Sequence, residues 1–554
     1  MNAVTGQVLP RDETAGPGWL DRERIVARPG FNRWLAPPAA LAIHLCIGMA
    51  YGFSVFWLPV SRAIGIDKPS AAAADAGLLN ALFTTTSDWK ISEMNWVFTL
   101  FIFFLGLSAA LWGGWLERVG PRRAGFVAAL CWSGGLVLGA FGIWLHQLWI
   151  LWIGTGALGG IGLGLGYISP VSTLIKWFPD RRGMATGMAI MGFGGGAMIG
   201  APLAEFLMGQ FRGPEGPGVW QTFLAMGAIY FVFMMAGAFA YRVPPAGYQP
   251  VGWTPAVVSR SMVTGGQVHL RNAHKTPQFW CIWVMLCMNV SAGIGVLSMA
   301  SPMLQEILGG KLIGLPDIGF TALSDTQHLS VAAVAAGFTG LLSLFNIGGR
   351  FFWASLSDRL GRKSTYFVFF ALGIPLYAVA PWAAHAGDRI LFVASLCIIL
   401  SMYGGGFSTV PAYLADMFGT RFVGAIHGRL LTAWSTAGII GPVMVSYMRE
   451  AEIAAGVQRA FVYDLTFYLL AGLLMVGLIA NLLVRPMAAK WFMSDAELTA
   501  LDLAARSVGA NPLARAVVTT GELSAIAVLA WLAVGIPVAW GVWITLTKVA
   551  MLFC

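Results

Sequence analysis

Thirteen stretches of this chain stay apolar for about 20 residues or more, the length a helix needs to cross a bilayer. They lie near 36–62, 94–116, 124–145, 148–175, 184–210, 219–241, 277–303, 331–356, 364–384, 389–416, 423–448, 460–484 and 522–548. No other feature restricts the fold as strongly. Inside hydrocarbon each segment must satisfy its own backbone groups, so each run is predicted to be a helix. Composition agrees: 57% of the 554 residues are apolar and 11% charged, against about 25% charged in soluble domains. Such a chain cannot dress itself in a polar skin. Soluble enzymes, disordered regulators and nucleic-acid binders are excluded, and the net charge of +9 has another origin.

That origin is topological. Of the 34 lysines and arginines, 23 fall in the first 35 residues, the even-numbered connections or the segment after the twelfth run; 8 fall in the odd-numbered connections. The positive-inside rule then predicts a cytoplasmic N-terminus and, after a thirteenth crossing, a C-terminus outside, in a bacterial-type inner membrane. Arg350 and Arg429 stand inside runs, and Lys548 near the end of one. The polar first 35 residues are not a cleavable signal. The six cysteines contain no CxxC pair and mostly sit in apolar stretches, so no disulfide framework and no metal site is expected. HExxH, GxSxG and GxxxxGK[ST] are absent. An enzyme is not expected, nor a cofactor. The glycine run from Gly154 to Gly166 reads as a helix-packing face.

The chain repeats itself at a shift of about 241. Trp112, Glu117, Arg118 and Gly120 recur as Trp353, Asp358, Arg359 and Gly361; Pro170 recurs as Pro411 and Pro202 as Pro442. Two six-helix halves of like orientation imply a twofold axis along the membrane normal and a midplane site between them. The predicted organisation is a cytoplasmic tail (1–35), a first bundle (36–241), a central cytoplasmic loop (242–276), a second bundle (277–484), an interfacial linker (485–521) and an extra membrane helix (522–554). Within the linker, Ser494 and Glu497 form a predicted capping box. Neither the tail nor the central loop carries a functional signal.

The duplicated segments Gly114–Arg123 and Ser355–Lys363 resemble the loop signature of the major facilitator superfamily, with Glu117 where the first copy of the pattern has Asp. The resemblance implies an all-α polytopic membrane protein of that fold, two pseudo-symmetric bundles plus a thirteenth helix. It makes Glu117, Arg118, Asp358 and Arg359 gating candidates, with Asp416 at the same end of the tenth run. The alternative is membrane-face charge that only sets topology.

Arg350 is the foremost site candidate. It follows Leu344, Phe345, Asn346, Gly348 and Gly349, well inside its run. An uncompensated Arg there costs roughly 2.5–3.5 kcal/mol on insertion scales. A bound carboxylate could offset this through the guanidinium fork. A snorkelling Arg, or one paired with Asp358, would offset it too.

The stretch Gly159–Pro202, with Tyr51–Pro59, Phe345–Lys363 and Tyr403–Gly419, resembles the oxalate/formate antiporter family over about residues 36–484. The runs Trp177–Gly183 and Phe345–Arg350 are its most specific parts. The resemblance implies a secondary transporter that moves small carboxylates by alternating access, by antiport or proton symport, with a monomeric transport unit in the lipid bilayer. Residues 522–548 are similar to a one-helix subunit that accompanies some members. In the family's oxalate carrier an Arg and a Lys hold the two carboxylates inside an aromatic box. Arg350 matches the Arg; the Lys position falls on Trp434. Arg429 lies five residues earlier, about 140° away round the helix. With one cation, the expectation shifts towards a monocarboxylate such as formate or lactate. Tyr51, Tyr167, Tyr403 and Phe407 match the box, and Phe193 replaces a Tyr; each could equally be packing. His44 and His427, seven residues before Tyr51 and Trp434, are proton-coupling candidates because His titrates near neutrality. Two alternatives stay open: a carrier of another organic anion, and a non-transporting membrane sensor of the same architecture.

Overall fold

The computed structural model describes residues 18–62, 82–83, 88–179, 182–213, 216–245, 248–250, 264, 266–419, 421–500 and 525–553. Among the described residues thirteen helices are long and apolar enough to span: α1 Arg33–Val60, α2 Ile91–Gly113, α3 Pro121–Trp144, α4 Leu148–Val171, α5 Gly187–Phe211, α6 Val219–Ala240, α7 Pro277–Ile313, α8 Asp325–Leu360, α9 Arg362–His385, α10 Arg389–Phe418, α11 Val423–Ala454, α12 Asp464–Leu483 and α13 Ala525–Ala550. Among the described residues there is no strand, only isolated bridges.

Small residues bring these helices together. A Cβ on Gly135 would meet the backbone of Gly154 and Gly159, and one on Gly162 would meet the backbone of Ala128 and Trp132, so the α4 glycine run is a packing face against α3. The duplication is visible in backbone geometry as well. The helical stretches containing α2 and α8 end at Gly120 and Gly361, both at φ 87°, where a side chain would be strained.

The halves meet chiefly through three pairs, α1 with α7, α2 with α11 and α5 with α8, with smaller contacts of α8 with α1 and of α10 with α5. Replacing each helix by its counterpart six places on converts the second pair into the third and returns the first to itself. A twofold axis between the bundles requires this pattern. Hydrogen bonds cross each seam. Trp57 Nε1 donates to the Ser298 carbonyl (2.7 Å), Asn95 Nδ2 to the Pro442 carbonyl (3.0 Å), and the Ser343 hydroxyl to the Gly194 carbonyl.

Helix α13 lies against α5, α8 and α1 and so contacts both halves. Trp531 Nε1 donates to the Trp34 carbonyl at 3.1 Å, and Lys548 pairs with Glu205 of α5. The tail, silent in the sequence, is pinned from Gly18 onward. Ile25 and Ala27 exchange backbone hydrogen bonds with Val243 at 2.9 Å, Phe31 packs on Trp177 and Trp34 on Phe178. The Ser494–Glu497 capping box is present, with Ser494 N–H donating to Glu497 Oε2 at 2.8 Å; those contacts draw the Glu497 carboxyl below its usual range. The rest of the predicted interfacial helix, 501–521, lies outside the described residues.

Candidate functional site

Arg350 is fully buried in α8. Its Nε donates to Asn346 Oδ1 one turn earlier (2.8 Å), and its Nη1 donates to the Ile190 carbonyl of α5 (3.1 Å). The approach of α5 depends on Gly194: a Cβ there would stand 2.7 Å from Asn346 Oδ1 and 2.9 Å from Arg350 Nε. The guanidinium carbon lies 5.7 Å from the Phe407 ring centre. Among the described residues no carboxylate forms an ion pair with Arg350. The side chain neither snorkels nor pairs with Asp358, whose carboxylate is 2.6 Å from Arg362 instead.

The aromatic residues close into a ring beside it. Tyr51 of α1 packs on Phe193 of α5 (4.9 Å between centres), Phe193 on Trp434 of α11 (5.6 Å) and Trp434 on Phe407 of α10 (4.3 Å). Phe407 then packs on Tyr403 (5.3 Å) and Tyr403 on Tyr51 (5.9 Å). Tyr167 of α4 caps the ring against Phe193 and Trp434 at 5.5 and 5.2 Å. The Tyr51 and Tyr403 hydroxyls are hydrogen-bonded at 2.6 Å across the two halves. All six rings are at most 1% exposed, so the site is closed to solvent on every side.

Four buried polar atoms of this cluster have no partner among the described residues: Arg350 Nη2, Asn346 Nδ2, Trp434 Nε1 and the Tyr167 hydroxyl. Three of these are obligate donors and the fourth can donate. An unpaired buried donor costs about 1–3 kcal/mol, more when charged. A small anion accepting from them would recover that cost. Tyr51 itself sits in a 3₁₀ stretch, Gly48–Phe56, in the middle of α1. Such stretches occur at functional hinges. Gly48 and Gly196 make the tight crossing of α1 and α5 there.

His44 adjoins the ring. Its Nδ1 contacts the Ala189 carbonyl, its Nε2 lies 3.1 Å from the Tyr167 carbonyl, and its ring stacks on Tyr167 at 5.5 Å. A neutral imidazole donates through one nitrogen only, so it can hydrogen-bond one of these carbonyls at a time, and a doubly protonated ring can bond both. His427 has no such place. Helix α11 breaks at Leu431, between His427 and Trp434, and none of the cluster's hydrogen bonds or ring contacts includes His427. Arg429 donates to the Leu270 carbonyl at 2.7 Å and turns to the central linker.

At the basic-loop end, Arg362 is a hub that motif reading passed over. Its guanidinium contacts Asp358 (2.6 Å), Asp416 (3.3 Å) and the Ser357 hydroxyl, joining the α8–α9 turn to α10. Arg118 and Arg359 are exposed. The Glu117 side chain, with Asp180 and Arg181 of the Trp177–Gly183 run, lies outside the described residues. At the other end, Glu306 of α7 is 2% exposed and holds Arg449 of α11 (Nε to Oε2, 2.7 Å), with Tyr463 donating at 2.7 Å and Arg459 at 3.3 Å. The sequence registered Arg449 and Arg459 only as connection charges. The lone carboxylate near the end of the α7 run was the available signal.

Residues 70–442 match the profile of the Major Facilitator Superfamily. The chain belongs to that superfamily. Its fold is that of facilitator transporters: a bacterial homologue of the human lysosomal transporter Spinster, solved in an inward-facing, unoccupied conformation, superimposes with a TM-score of 0.54 at 15% identity, covering 82% of this chain and 99% of that one. Among facilitator relatives, the oxalate:formate antiporter of Oxalobacter formigenes is 26% identical over 416 residues, 74% of this chain and 83% of its own. The apicoplast pyruvate carrier 1 of Toxoplasma gondii is 24% identical over 460 residues, 72% of this chain and 80% of its own. The chain is thus a multi-pass membrane transporter of the facilitator superfamily, similar in sequence to the oxalate:formate antiporter and to the pyruvate carrier.

Proposed function

We propose that this facilitator carries small monocarboxylates such as formate or lactate by alternating access, with Arg350 as the counter-charge. The observation that carries the reading is a fully buried guanidinium with no carboxylate partner among the described residues and one unpartnered nitrogen, set beside an aromatic ring drawn from both bundles. The substrate carboxylate accepts from Arg350, with Asn346, Tyr167 and Trp434 supplying neutral donors; the rings of Tyr51, Phe193, Tyr403 and Phe407 exclude water. Trp434 stands where a second cation would serve a dianion, so one charge is matched. The printed activities of the relatives, oxalate:formate exchange and pyruvate carriage, support the substrate class.

Bundles 36–241 and 277–484 are the moving halves, in a monomer, with the N-terminus and the Arg362 hub on the cytoplasmic side of a bacterial-type inner membrane. The Tyr51–Tyr403 bond must break when the halves part. His44, wedged between the Ala189 and Tyr167 carbonyls, is the group through which a proton would be coupled. Uptake of labelled formate, lactate and oxalate into liposomes, measured side by side, tests the reading. Strong selectivity for oxalate would defeat the monocarboxylate assignment, and uptake unaffected by Arg350→Lys would defeat the site.

A further inference from the structure

Two cavities meet beside the first bundle, and none of the Arg350 cluster lines either. One, of about 570 Å³, is lined by Arg24, Arg28, Arg122 and Arg242 together with Phe31. The other, of about 500 Å³, runs between α1, α6 and α13 and is apolar, with Leu35, Phe233, Ala530 and Val534 among its walls. Phe31 and Arg242 line both. Among the described residues no carboxylate lines either cavity.

The basic cavity is built rather than incidental. Arg122 is only 6% exposed; its Nη1 donates to the Trp19 carbonyl (2.9 Å) and its Nη2 to the Phe239 carbonyl (2.8 Å). Its buried Nε has no partner among the described residues. Arg242 donates to the Tyr241 and Phe239 carbonyls at 2.8 and 3.1 Å. The carbonyls at the end of α6 therefore fix both guanidiniums, as helix C-termini favour cations. The tail, held to Val243 by backbone hydrogen bonds, brings Arg24 and Arg28 to the same cavity. With Arg28, Arg122 and Arg242 on a wall that holds no carboxylate among the described residues, and the buried Arg122 Nε without a described partner, the cavity favours an anion.

The adjoining groove selects its kind. It begins where α1 starts and α6 ends, the level of a bilayer interface, and it passes down the apolar flank of α13. A soluble anion would use the arginines and leave the groove unused. A phosphodiester attached to an acyl chain uses both. We propose that this double cavity binds one anionic phospholipid, its phosphate among Arg24, Arg28, Arg122 and Arg242 and one acyl chain between α1, α6 and α13. The bound lipid then ties α13 and the tail to the first bundle. This inference is independent of the carboxylate reading.

The test is thermal unfolding of the delipidated full-length protein in detergent, titrated with phosphatidylglycerol, phosphatidylcholine or inorganic phosphate. Only phosphatidylglycerol should raise the unfolding temperature. In the Arg24→Gln/Arg28→Gln double variant, both changes at exposed tail positions, the phosphatidylglycerol needed should rise about 30-fold (about 2 kcal/mol, at roughly 1 kcal/mol per Arg). Ala530→Trp, which fills the groove, should weaken the phosphatidylglycerol effect with the arginines intact. Equal stabilisation by inorganic phosphate would make the cavity a soluble-anion site. Equal stabilisation by phosphatidylcholine would leave the arginines without a role. Either result, or an undiminished phosphatidylglycerol effect in both variants, overturns the proposal.

Discussion

At the scale of single residues, the chemistry rests on a few atoms around Arg350. Arg350→Lys keeps the charge and loses the planar fork. One charged hydrogen bond is worth roughly 1.5–3 kcal/mol, so KM for formate should rise about tenfold or more, read from initial uptake rates. Gly194→Ala is a subtler probe. Its Cβ would press on Asn346 Oδ1 and Arg350 Nε, so uptake should fall while the protein still folds, as judged by its elution and melting in detergent. Trp434→Lys would supply the second cation, and the ratio of oxalate to formate uptake should rise; a ratio unchanged in an active variant would count against the position. His44→Ala should abolish uptake driven by a pH gradient and spare counterflow exchange. Arg350 was legible in the sequence because a cation inside an apolar run is conspicuous. The aromatic ring was legible only through family resemblance, since in a chain this rich in Phe and Trp no spacing separates lining from packing. The Ile190 carbonyl that receives Arg350 Nη1 and the Ala189 carbonyl beside His44 carried no signal at all, because a backbone acceptor is the same in every residue.

At the scale of helices, the thirteen apolar runs correspond to thirteen spanning helices among the described residues, with ends shifted by up to ten residues. Hydrophobicity alone sets that count. What the runs could not convey is which faces meet. Helix α13 is apolar all round, so nothing in its pattern selects α5 and α8; the choice depends on Gly337, Gly340 and Gly541, where the chains approach closely, and on Lys548 with Glu205. The Glu306–Arg449 pair was hidden for a similar reason: 143 residues separate the partners. Both side chains of that pair are at most 5% exposed, and without Glu306 the buried Arg449 keeps, among the described residues, only Glu450, at 2.8 Å. Glu306→Ala should therefore destabilise the protein by about 1.5–3 kcal/mol, the worth of a charged hydrogen bond, seen as a lower unfolding temperature in detergent.

For the whole molecule, the duplication predicts the motion. The seams α1–α7, α2–α11 and α5–α8 are all engaged around a closed site, so transport must open some of them in turn. The Ser54 hydroxyl accepts from the Ser301 N–H at 3.3 Å across the α1–α7 seam. A cysteine pair at these positions should, when oxidised, arrest uptake, and reduction should restore it. Continued transport by the crosslinked protein would mean that this seam stays shut throughout the cycle. The repeat was legible because identical turns need identical glycines, and Gly120 and Gly361 share one backbone angle. The pinning of the tail to Val243 was not, because it depends on two short polar segments more than 200 residues apart.

The position of α13 has a consequence for assembly. A separate single helix would have to find the α5–α8 groove by lateral diffusion and hold it by affinity alone. Here the chain after α12 leashes it to the core, so docking is intramolecular and its effective concentration is high whatever the expression level. One Lys–Glu pair and a few small-residue crossings can then suffice to keep it seated, with every copy of the carrier equipped with its own.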